Sequence, residues 1–242
     1  MSIILAFINA STGVILIRID VEAVRDREAE VSSIRGERSF KLRGGVVCLD
    51  FVNTVGWRLT DRPSEYLSSY EDLLDWGRQA GLLAPEETEG LFRQAALDSE
   101  GARETLSRAL ALREAIDRVI SRAIAGESQD ESDMSALNRE LSIALSHLRV
   151  MPADGAYGWG WDRSGDDGGA RLDSPLWPVA QSAAELLTSE RLGRVKVCAD
   201  GGCGWVFLDE SRNGSRRWCD SRDCGNRERV RRHLARKRAS GS

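Results

Sequence analysis

The chain has 242 residues, of which 30% are charged and 41% hydrophobic, and its formal net charge is −4 at pH 7. This is the composition of a globular protein that can bury one large core or two smaller ones. The small net charge excludes a uniformly basic or acidic chain, but the charge is unevenly distributed. Residues 191–238 contain fourteen Lys and Arg against six Asp and Glu, so a basic C-terminal segment follows an acidic body.

The first 38 residues are predicted to form an extension outside the main body. Their first twenty residues are apolar, but they lack a basic start and are interrupted by Asn-Ala-Ser-Thr, so they match neither a signal peptide nor a membrane-spanning helix. The apolar runs on either side of this turn-like sequence suit a β-hairpin. The residues after it are charged and weakly patterned, so we expect the whole extension to be loosely held. Without a targeting signal, we expect a cytoplasmic protein, in which clustered cysteines are more often metal ligands than disulfides.

Residues 39–192 are predicted to form a mainly α-helical body with minor β structure. Two short extended pieces are expected around Gly44 and Gly45, and helix signals then dominate. A capping box at Ser69 and Asp72 begins one helix, and Pro85 lies in the first turn of the next. A 3.6-residue apolar period predicts a helix from Ala102 to Ala125, ended by Gly126. An amphipathic run from Met134 to Leu148, capped by Ser132 or Asp133, predicts a fourth helix, and a last helix is expected to begin at Pro175. Before that last helix, the aromatic residues 157–161 predict a short strand followed by an exposed loop.

A polar cluster inside an apolar segment is the candidate ligand pocket of the body. It consists of Asp50, Asn53, Thr54 and Arg58. These side chains either line a pocket for a small-molecule effector or cap helices and satisfy buried backbone groups, and we prefer the second interpretation. Several tryptophans present the same choice between pocket and core: Trp57, Trp76, Trp159, Trp161 and Trp177.

Four of the five cysteines lie in residues 193–238, in two pairs separated by fifteen residues: Cys198 with Cys203, and Cys219 with Cys224. Two close pairs with a hairpin-sized spacer can bring four thiolates into the tetrahedron that zinc binds. Four sulfur ligands leave no position for water, which predicts one structural zinc ion. The alternative, buried thiols or two disulfides, is disfavoured because a piece of about 45 residues cannot build a sufficient core unaided.

The residues around the cysteines predict a small treble-clef-like module. Residues 204–210 and 215–219 are expected to form two strands joined by a turn at Ser-Arg-Asn-Gly, and a helix is expected to follow Cys224. Val230 and Leu234 are four residues apart, so the helix is expected to seat on the module by that face.

Arginines are concentrated in this module, and they are the candidate nucleic-acid contacts: Arg216, Arg217, Arg227, Arg229, Arg231, Arg232 and Arg236. A helix that is positive on nearly every side costs self-repulsion, which the phosphates of a polyanion relieve. The alternative is a solvated helix that pairs with the acidic body. We prefer nucleic-acid binding because the charge lies on a helix anchored by a metal.

The residues from Cys198 to Arg238, with Cys-Gly-Asn-Arg at 224–227, closely resemble the CGNR zinc finger. The stretches GGVVCLDFVNT, LLDWGRQAGLL and ALREAI resemble the ABATE domain, which precedes that finger in a family of bacterial stress-induced transcription regulators. The resemblance covers about residues 40–236. It implies zinc on the four cysteines and DNA binding by the finger.

No catalytic motif is evident in the sequence. There is no Gly-rich phosphate loop, GxSxG or HExxH sequence, and neither His147 nor His233 has an evident nucleophile partner. We therefore expect a regulator that is not an enzyme and not membrane-bound, whose body senses an effector or forms a homodimer and whose finger binds DNA. Two alternatives stay open: an RNA-associated factor with the same finger, and a small-molecule enzyme with a structural zinc.

Overall fold

A computed structural model describes residues 2–9, 13–20, 38–153, 155–165 and 169–240. The chain divides into two compact units, Met1–Ser39 and Phe40–Ser242. In the first unit, β1 (Ser2–Asn9) and β2 (Gly13–Asp20) form the antiparallel hairpin that the sequence predicts. The charged part of the predicted extension, residues 21–37, lies outside the described residues.

The second unit begins with a helical body, which confirms the predicted fold class. Its elements in chain order are α1 (Val47–Val52), β3 (Val55–Gly56), β4 (Ser64–Glu65), α2 (Tyr70–Gln79), α3 (Pro85–Leu97), α4 (Ser99–Ala125), α5 (Glu131–Ser146), β5 (Leu148–Ala153), β6 (Ala156–Trp161) and α6 (Trp177–Leu187). The strands pair as two antiparallel hairpins, β3 with β4 and β5 with β6. In the part of the chain that the structure describes, no helix is long and apolar enough to cross a membrane.

Local signals place the helix ends as predicted. The Ser69 hydroxyl accepts a hydrogen bond from the Asp72 amide at 3.2 Å, and the Asp72 carboxylate accepts one from the Ser69 amide at 3.1 Å. Pro85 is the first residue of α3. Gly126 ends α4 with a φ of 71°, a left-handed conformation that glycine adopts without the strain of a side chain.

Other boundaries differ from the prediction. Residues 38–46 form no strand, because the Gly44 amide donates to Asp50 Oδ1 at 2.7 Å and folds the chain back onto α1. Helix α5 is capped by Asp130, whose carboxylate accepts from the Ser132 amide, and not by Ser132 or Asp133. Leu148 was expected to end that helix, but it begins strand β5, which was not predicted. Pro175 was expected to begin the last helix, but it lies in a short 3₁₀ turn before α6.

The core of the second unit is built around α1. Its residues Cys48, Leu49 and Phe51 are fully buried, and the helix contacts α4, α6 and a strand of the C-terminal module. The rings of Phe51 and Trp76 are 4.9 Å apart, and Trp177 is buried in the same cluster. Each large apolar side chain buried in this way stabilises the fold by about 1.5–3 kcal/mol.

The C-terminal module contains β7 (Val195–Val197), β8 (Val206–Leu208) and α7 (Cys224–Ser240). The helix after Cys224 is confirmed, but the predicted pairing of strands is wrong: β8 pairs with β7, and residues 215–219 are a loop. Side chains hold this loop in place of a strand ladder. The amide of Arg216 donates to Asp209 Oδ2 at 3.0 Å, and the amide of Ser215 donates to the Ser211 hydroxyl at 2.9 Å.

The module and the body share one core. Val206 and Leu208 of β8 are buried in the same cluster as Leu49 and Phe51 of α1. The predicted domain boundary near residue 192 therefore does not coincide with a break in packing, since both segments lie within the unit Phe40–Ser242.

Candidate metal centre

The four C-terminal cysteines converge on one point. Cys198, Cys203, Cys219 and Cys224 are all buried, and their sulfur atoms all lie within 4.8 Å of one another. The Sγ atom of Cys219 is 3.7 Å from that of Cys203 and 3.5 Å from that of Cys224. A disulfide requires about 2.05 Å between sulfurs, so these cysteines are not paired as disulfides.

Two elements supply the cysteines. Cys198 and Cys203 flank the knuckle between β7 and β8, where the Cys198 amide donates to the carbonyl oxygen of Trp205 at 2.8 Å. Cys219 ends the following loop, and Cys224 is the first residue of α7. The local sequence therefore folds into a knuckle and a helix start that face each other.

The donor set fits a tetrahedral zinc ion. Zinc binds thiolates at about 2.3 Å, so the sulfurs of a tetrahedral site lie about 3.8 Å apart, close to the spacing observed here. All four ligands are sulfurs from the chain, which leaves no coordination position for water. The module holds one structural zinc, whose role is to fix the knuckle and the helix start.

Gly204 allows the body to approach the knuckle closely. Its φ is 71°, and an added Cβ would lie 2.9 Å from the Cβ of Arg58 and 3.0 Å from Leu59. In the same contact, the Arg58 amide donates to the carbonyl oxygen of Cys203 at 3.2 Å. The loop between β3 and β4 therefore packs directly on the metal-binding turn.

Arg227, the arginine of the Cys-Gly-Asn-Arg sequence, braces the metal centre. Its guanidinium donates to the Cys224 sulfur at 2.9 Å and to Asp200 Oδ2 at 3.0 Å, and it also pairs with Asp223. Four thiolates around Zn²⁺ carry two net negative charges, which this guanidinium partly offsets, and such outer contacts orient metal ligands. Trp57 of the body covers the guanidinium, with the Arg227 carbon 4.6 Å from the ring centre.

Asp200 is the buried acid of the knuckle. It receives hydrogen bonds from Arg227 and, at 2.8 Å, from Arg231. Burial alone would raise the pKa of Asp200, but the bonds from Arg231 and Arg227 hold it below its usual value. The ionised carboxylate therefore ties the first two turns of α7 to the knuckle.

Arg216 also has a structural role that the sequence did not indicate. Its guanidinium donates to the backbone carbonyl oxygens of Leu208, Trp218, Cys219 and Arg43. The cation lies 4.2 Å above the Phe207 ring. Because its N–H groups are bonded to these carbonyl oxygens, Arg216 holds the loop against β8 and the body instead of presenting a free guanidinium.

The remaining predicted nucleic-acid residues are exposed: Arg217, Arg229, Arg231, Arg232 and Arg236. The predicted seating of α7 through Val230 and Leu234 is wrong, since these side chains are 50% and 49% exposed. Helix α7 is instead anchored by its first turn, where Cys224 and Gly225 are buried. From Arg229 to Lys237 its side chains are exposed, although Arg231 still bonds to Asp200 of the knuckle.

The four residues of the candidate ligand pocket are engaged within the protein. Asn53 exchanges two hydrogen bonds with the backbone of Val206, at 2.8 and 3.0 Å, and Thr54 donates to the Phe51 carbonyl oxygen at 2.7 Å. Asp50 accepts from the Gly44 amide, and Arg58 pairs with two acids of α4. These contacts match the interpretation that the cluster satisfies buried backbone groups.

Some contributors to the site were not found from the sequence. Lys41 pairs with Asp223 at 2.8 Å, and Arg43 pairs with Asp220 at 3.0 Å, so two bases of the body bind two acids of the module. The indole Nε1 of Trp205 donates to the Val55 carbonyl oxygen at 2.8 Å. Each contact joins residues that are distant in the sequence, and no local pattern marks them.

Comparison with known families agrees with this geometry. Residues 45–190 match the family described as "ABATE: Putative stress-induced transcription regulator". The chain belongs to this family. Residues 194–237 match the CGNR zinc finger, which contains all four metal-binding cysteines of this ABATE-family protein. No curated protein matches the chain.

Proposed function

We propose that this ABATE-family protein regulates transcription by binding DNA through its zinc-stabilised module, and that it is not an enzyme. The observation that carries the proposal is the basic helix α7, anchored at Cys224 and exposed from Arg229 to Lys237. An α-helix fits the major groove of B-DNA, and arginine binds phosphates and guanine edges. The zinc orders this helix before DNA is bound, which lowers the entropic cost of binding.

The ion pairs on α7 are compatible with DNA contact. Glu228 pairs with Arg232 at 2.9 Å and with Arg231 at 3.7 Å, and both arginine side chains are 51% exposed. Exposed pairs of this kind contribute about 0–1 kcal/mol, so a DNA phosphate can replace Glu228 at small cost. Arg231 also bonds to Asp200, which makes it a bridge between the knuckle and the exposed surface.

The helical body is the proposed sensor or dimerisation domain. Support comes from its direct contacts with the module: Asn53 with Val206, Trp205 with Val55, and Trp57 with Arg227. An effector or a second copy that moves the loop between β3 and β4 would therefore displace the start of α7. This gives a physical route from the body to the DNA-binding surface.

The structural nature of the zinc site supports the part of the proposal that the metal does not catalyse hydrolysis. Hydrolytic zinc needs a free position for water, whereas four cysteines fill the tetrahedron here. A small-molecule screen by thermal shift, followed by assays for chemical conversion of each hit, tests this part of the proposal. Turnover of a bound compound would contradict it.

The DNA proposal is tested by measuring duplex binding as a function of salt. The affinity should fall with rising salt, with a log–log slope of about −0.9 for each phosphate contact. The double variant Arg229→Gln, Arg232→Gln should bind more weakly and with a shallower slope. The matched control is Arg93→Gln, Arg103→Gln, which removes two exposed arginines from α3 and α4 of the body and should leave binding unchanged.

Two further arms separate the alternatives. Cys224→Ser should abolish ordered binding although every arginine remains, because the unanchored helix must then lose its conformational freedom on binding. Competition between duplex DNA and structured RNA at the same salt concentration distinguishes a DNA-binding regulator from an RNA-associated factor. Tighter binding to RNA would overturn the proposal of a DNA target.

A further inference from the structure

A basic cleft lies beside the metal centre, at the loop that precedes α7. It has a volume of about 500 Å³ and is lined by residues of the loop before α7 together with one residue of the body, Arg43. Four arginines line it, Arg43, Arg216, Arg217 and Arg222, against one acid, Asp220. The cleft is therefore a concave, positively charged surface built partly outside the zinc finger.

The positive charge of the cleft is not cancelled by its own acid. Asp220 is 3.0 Å from Arg43 and has a side chain only 18% exposed, so a base of the body already neutralises it. The guanidinium of Arg216 is bonded to carbonyl oxygens, which hold it in place without removing its charge. Arg217 and Arg222 are exposed and add two further charges.

Of the two exposed arginines, Arg217 is held at the cleft by an aromatic side chain. The Trp218 ring lies against Gly225 of α7, where an added Cβ would come within 3.3 Å of the indole. On Trp218 rests the guanidinium of Arg217, 5.3 Å from the ring centre. Stacking on an aromatic ring positions an arginine while leaving its in-plane N–H groups available to an anion.

The cleft is joined to the basic helix. Arg229 of α7 donates to the carbonyl oxygen of Ser221, which lines the cleft. A strand of DNA that follows α7 thus passes from Arg229 to the mouth of the cleft. The bond between Arg229 and Ser221 connects the first exposed turn of α7 to the cleft lining, to which Arg217 and Arg222 belong.

We infer that this cleft binds a backbone phosphate of DNA, with Arg217 and Arg222 as the contacting residues and Arg43 and Arg216 as positioning residues. The inference rests on the proposed function and extends its contact surface to the body of the protein. A phosphate contact of this kind fixes the register of the protein on the duplex without reading its sequence. It also makes DNA binding depend on the docked state of the body, because Arg43 neutralises Asp220 only when the body and the module are together.

The test measures binding of the full-length, zinc-loaded protein to a fluorescently labelled duplex of mixed sequence. The variant Arg217→Gln, Arg222→Gln should lose about tenfold or more in affinity, and its salt slope should become shallower by about 0.9 for each lost contact. The loss should be equal on unrelated sequences. The control is Arg191→Gln, Arg212→Gln, which removes two exposed arginines of the same segment outside the cleft lining.

A second measurement needs no substitution. Phenylglyoxal modifies accessible guanidinium groups, and bound duplex should protect Arg217 and Arg222 from it while Arg212 stays reactive.

Variants are compared only after each is shown to retain one zinc per chain. If the wild type binds duplex but the cleft variant keeps its affinity and slope, the cleft inference is wrong and binding through α7 stands. If the wild type does not bind duplex at all, both proposals fall.

Discussion

The guanidinium carbon of Arg227 lies 4.6 Å from the centre of the Trp57 ring, which joins the first turn of α7 to the body. The same guanidinium bonds to the sulfur of Cys224 and to Asp200. Trp57 has a φ of 55°, an uncommon value for a residue other than glycine, so the surrounding contacts hold it in a strained conformation. Zinc binding and the body–module contact are therefore physically connected at this pair.

Replacing Arg227 should weaken the metal centre. Arg227→Lys keeps the charge but loses the planar donor set that reaches Cys224 and Asp200 together. Loss of such outer contacts lowers metal affinity by about 10- to 100-fold. Competition with a chromophoric chelator at fixed pH measures the change, and Arg229→Lys, on the exposed part of α7, is the control. Equal zinc affinity in both variants would show that Arg227 does not brace the site.

Gly204 should tolerate no side chain. Gly204→Ala places a Cβ 2.9 Å from the Cβ of Arg58 and requires a left-handed backbone, so the free energy of unfolding should fall by about 1–3 kcal/mol. At Gly193, no atom lies within 4 Å of the position that a Cβ would occupy, which makes Gly193→Ala the matched control. Urea denaturation of both variants checks the prediction, and equal midpoints would contradict it.

The hydrogen bonds between Asn53 and Val206 should be a main contribution to the joint between body and module. Asn53→Ala leaves the buried amide and carbonyl of Val206 without partners, which costs about 2–4 kcal/mol for the two groups. Asn138→Ala removes an exposed asparagine from α5 and should change stability little. Equilibrium unfolding followed by tryptophan fluorescence compares the two. A loss of stability no larger than that of the control would refute the assignment.

Much of the metal centre could be predicted because its signals are local. The spacing of the four cysteines and the capping box at Ser69 and Asp72 each depend on residues within a short stretch of the chain. The same holds for Gly126, which ends α4 by its own conformation.

The predictions fail where distant contacts decide the structure. The apolar and aromatic content of residues 215–219 predicts a strand, but the bonds of Arg216 to carbonyls as far away as Arg43 hold them as a loop. Val230 and Leu234 have the spacing of a buried helical face, yet the anchoring at Cys224 leaves that face exposed. Periodicity shows which residues share a face, but it does not show whether another element covers that face.

Glu114 should stabilise the fold in a pH-dependent way. Burial raises the pKa of Glu114, but the hydrogen bond from Arg58 and the charges of Arg58 and Arg113 hold it below its ordinary value. A carboxyl whose folded-state pKa is lowered stabilises the protein above its unfolded-state pKa, and the contribution is lost as the pH falls through the folded-state value. The Glu114 side chain is 35% exposed, so solvent screens its ion pairs, and Glu114→Gln should be less stable than the wild type at neutral pH by up to about 1 kcal/mol.

The pH dependence of that difference is the measurement. As the pH falls through the range in which Glu114 becomes protonated, the stabilities of the wild type and Glu114→Gln should converge. Comparing the two proteins at each pH cancels the acid-induced loss of zinc, which affects both. Glu104→Gln removes an exposed carboxylate from the same helix and serves as the control for net charge. A difference between wild type and Glu114→Gln that stays constant with pH would contradict the prediction.

Zinc removal should disturb the body as well as the module, because β8 belongs to both. Binding free energies of about 10–16 kcal/mol for structural zinc mean that the module unfolds without its metal. Val206 and Leu208 then leave the core, and Asn53 loses its backbone partners. Amide hydrogen exchange should accordingly rise in β7, β8 and α1 on chelation, while α4 keeps its protection because its cap and apolar face lie within the body.

A chain truncated after Leu192 separates the loss of β8 from the loss of zinc. It should remain helical, since α2 to α5 carry their own caps, but its unfolding free energy should be lower by several kcal/mol because three core residues, Val195, Val206 and Leu208, are missing. Exchange protection in α1 should match that of the zinc-free full-length protein. The opposite result would be α1 amides that exchange as slowly in the truncated chain as in the zinc-bound protein. The body would then not depend on β8, and the body and the module would be independent domains in surface contact.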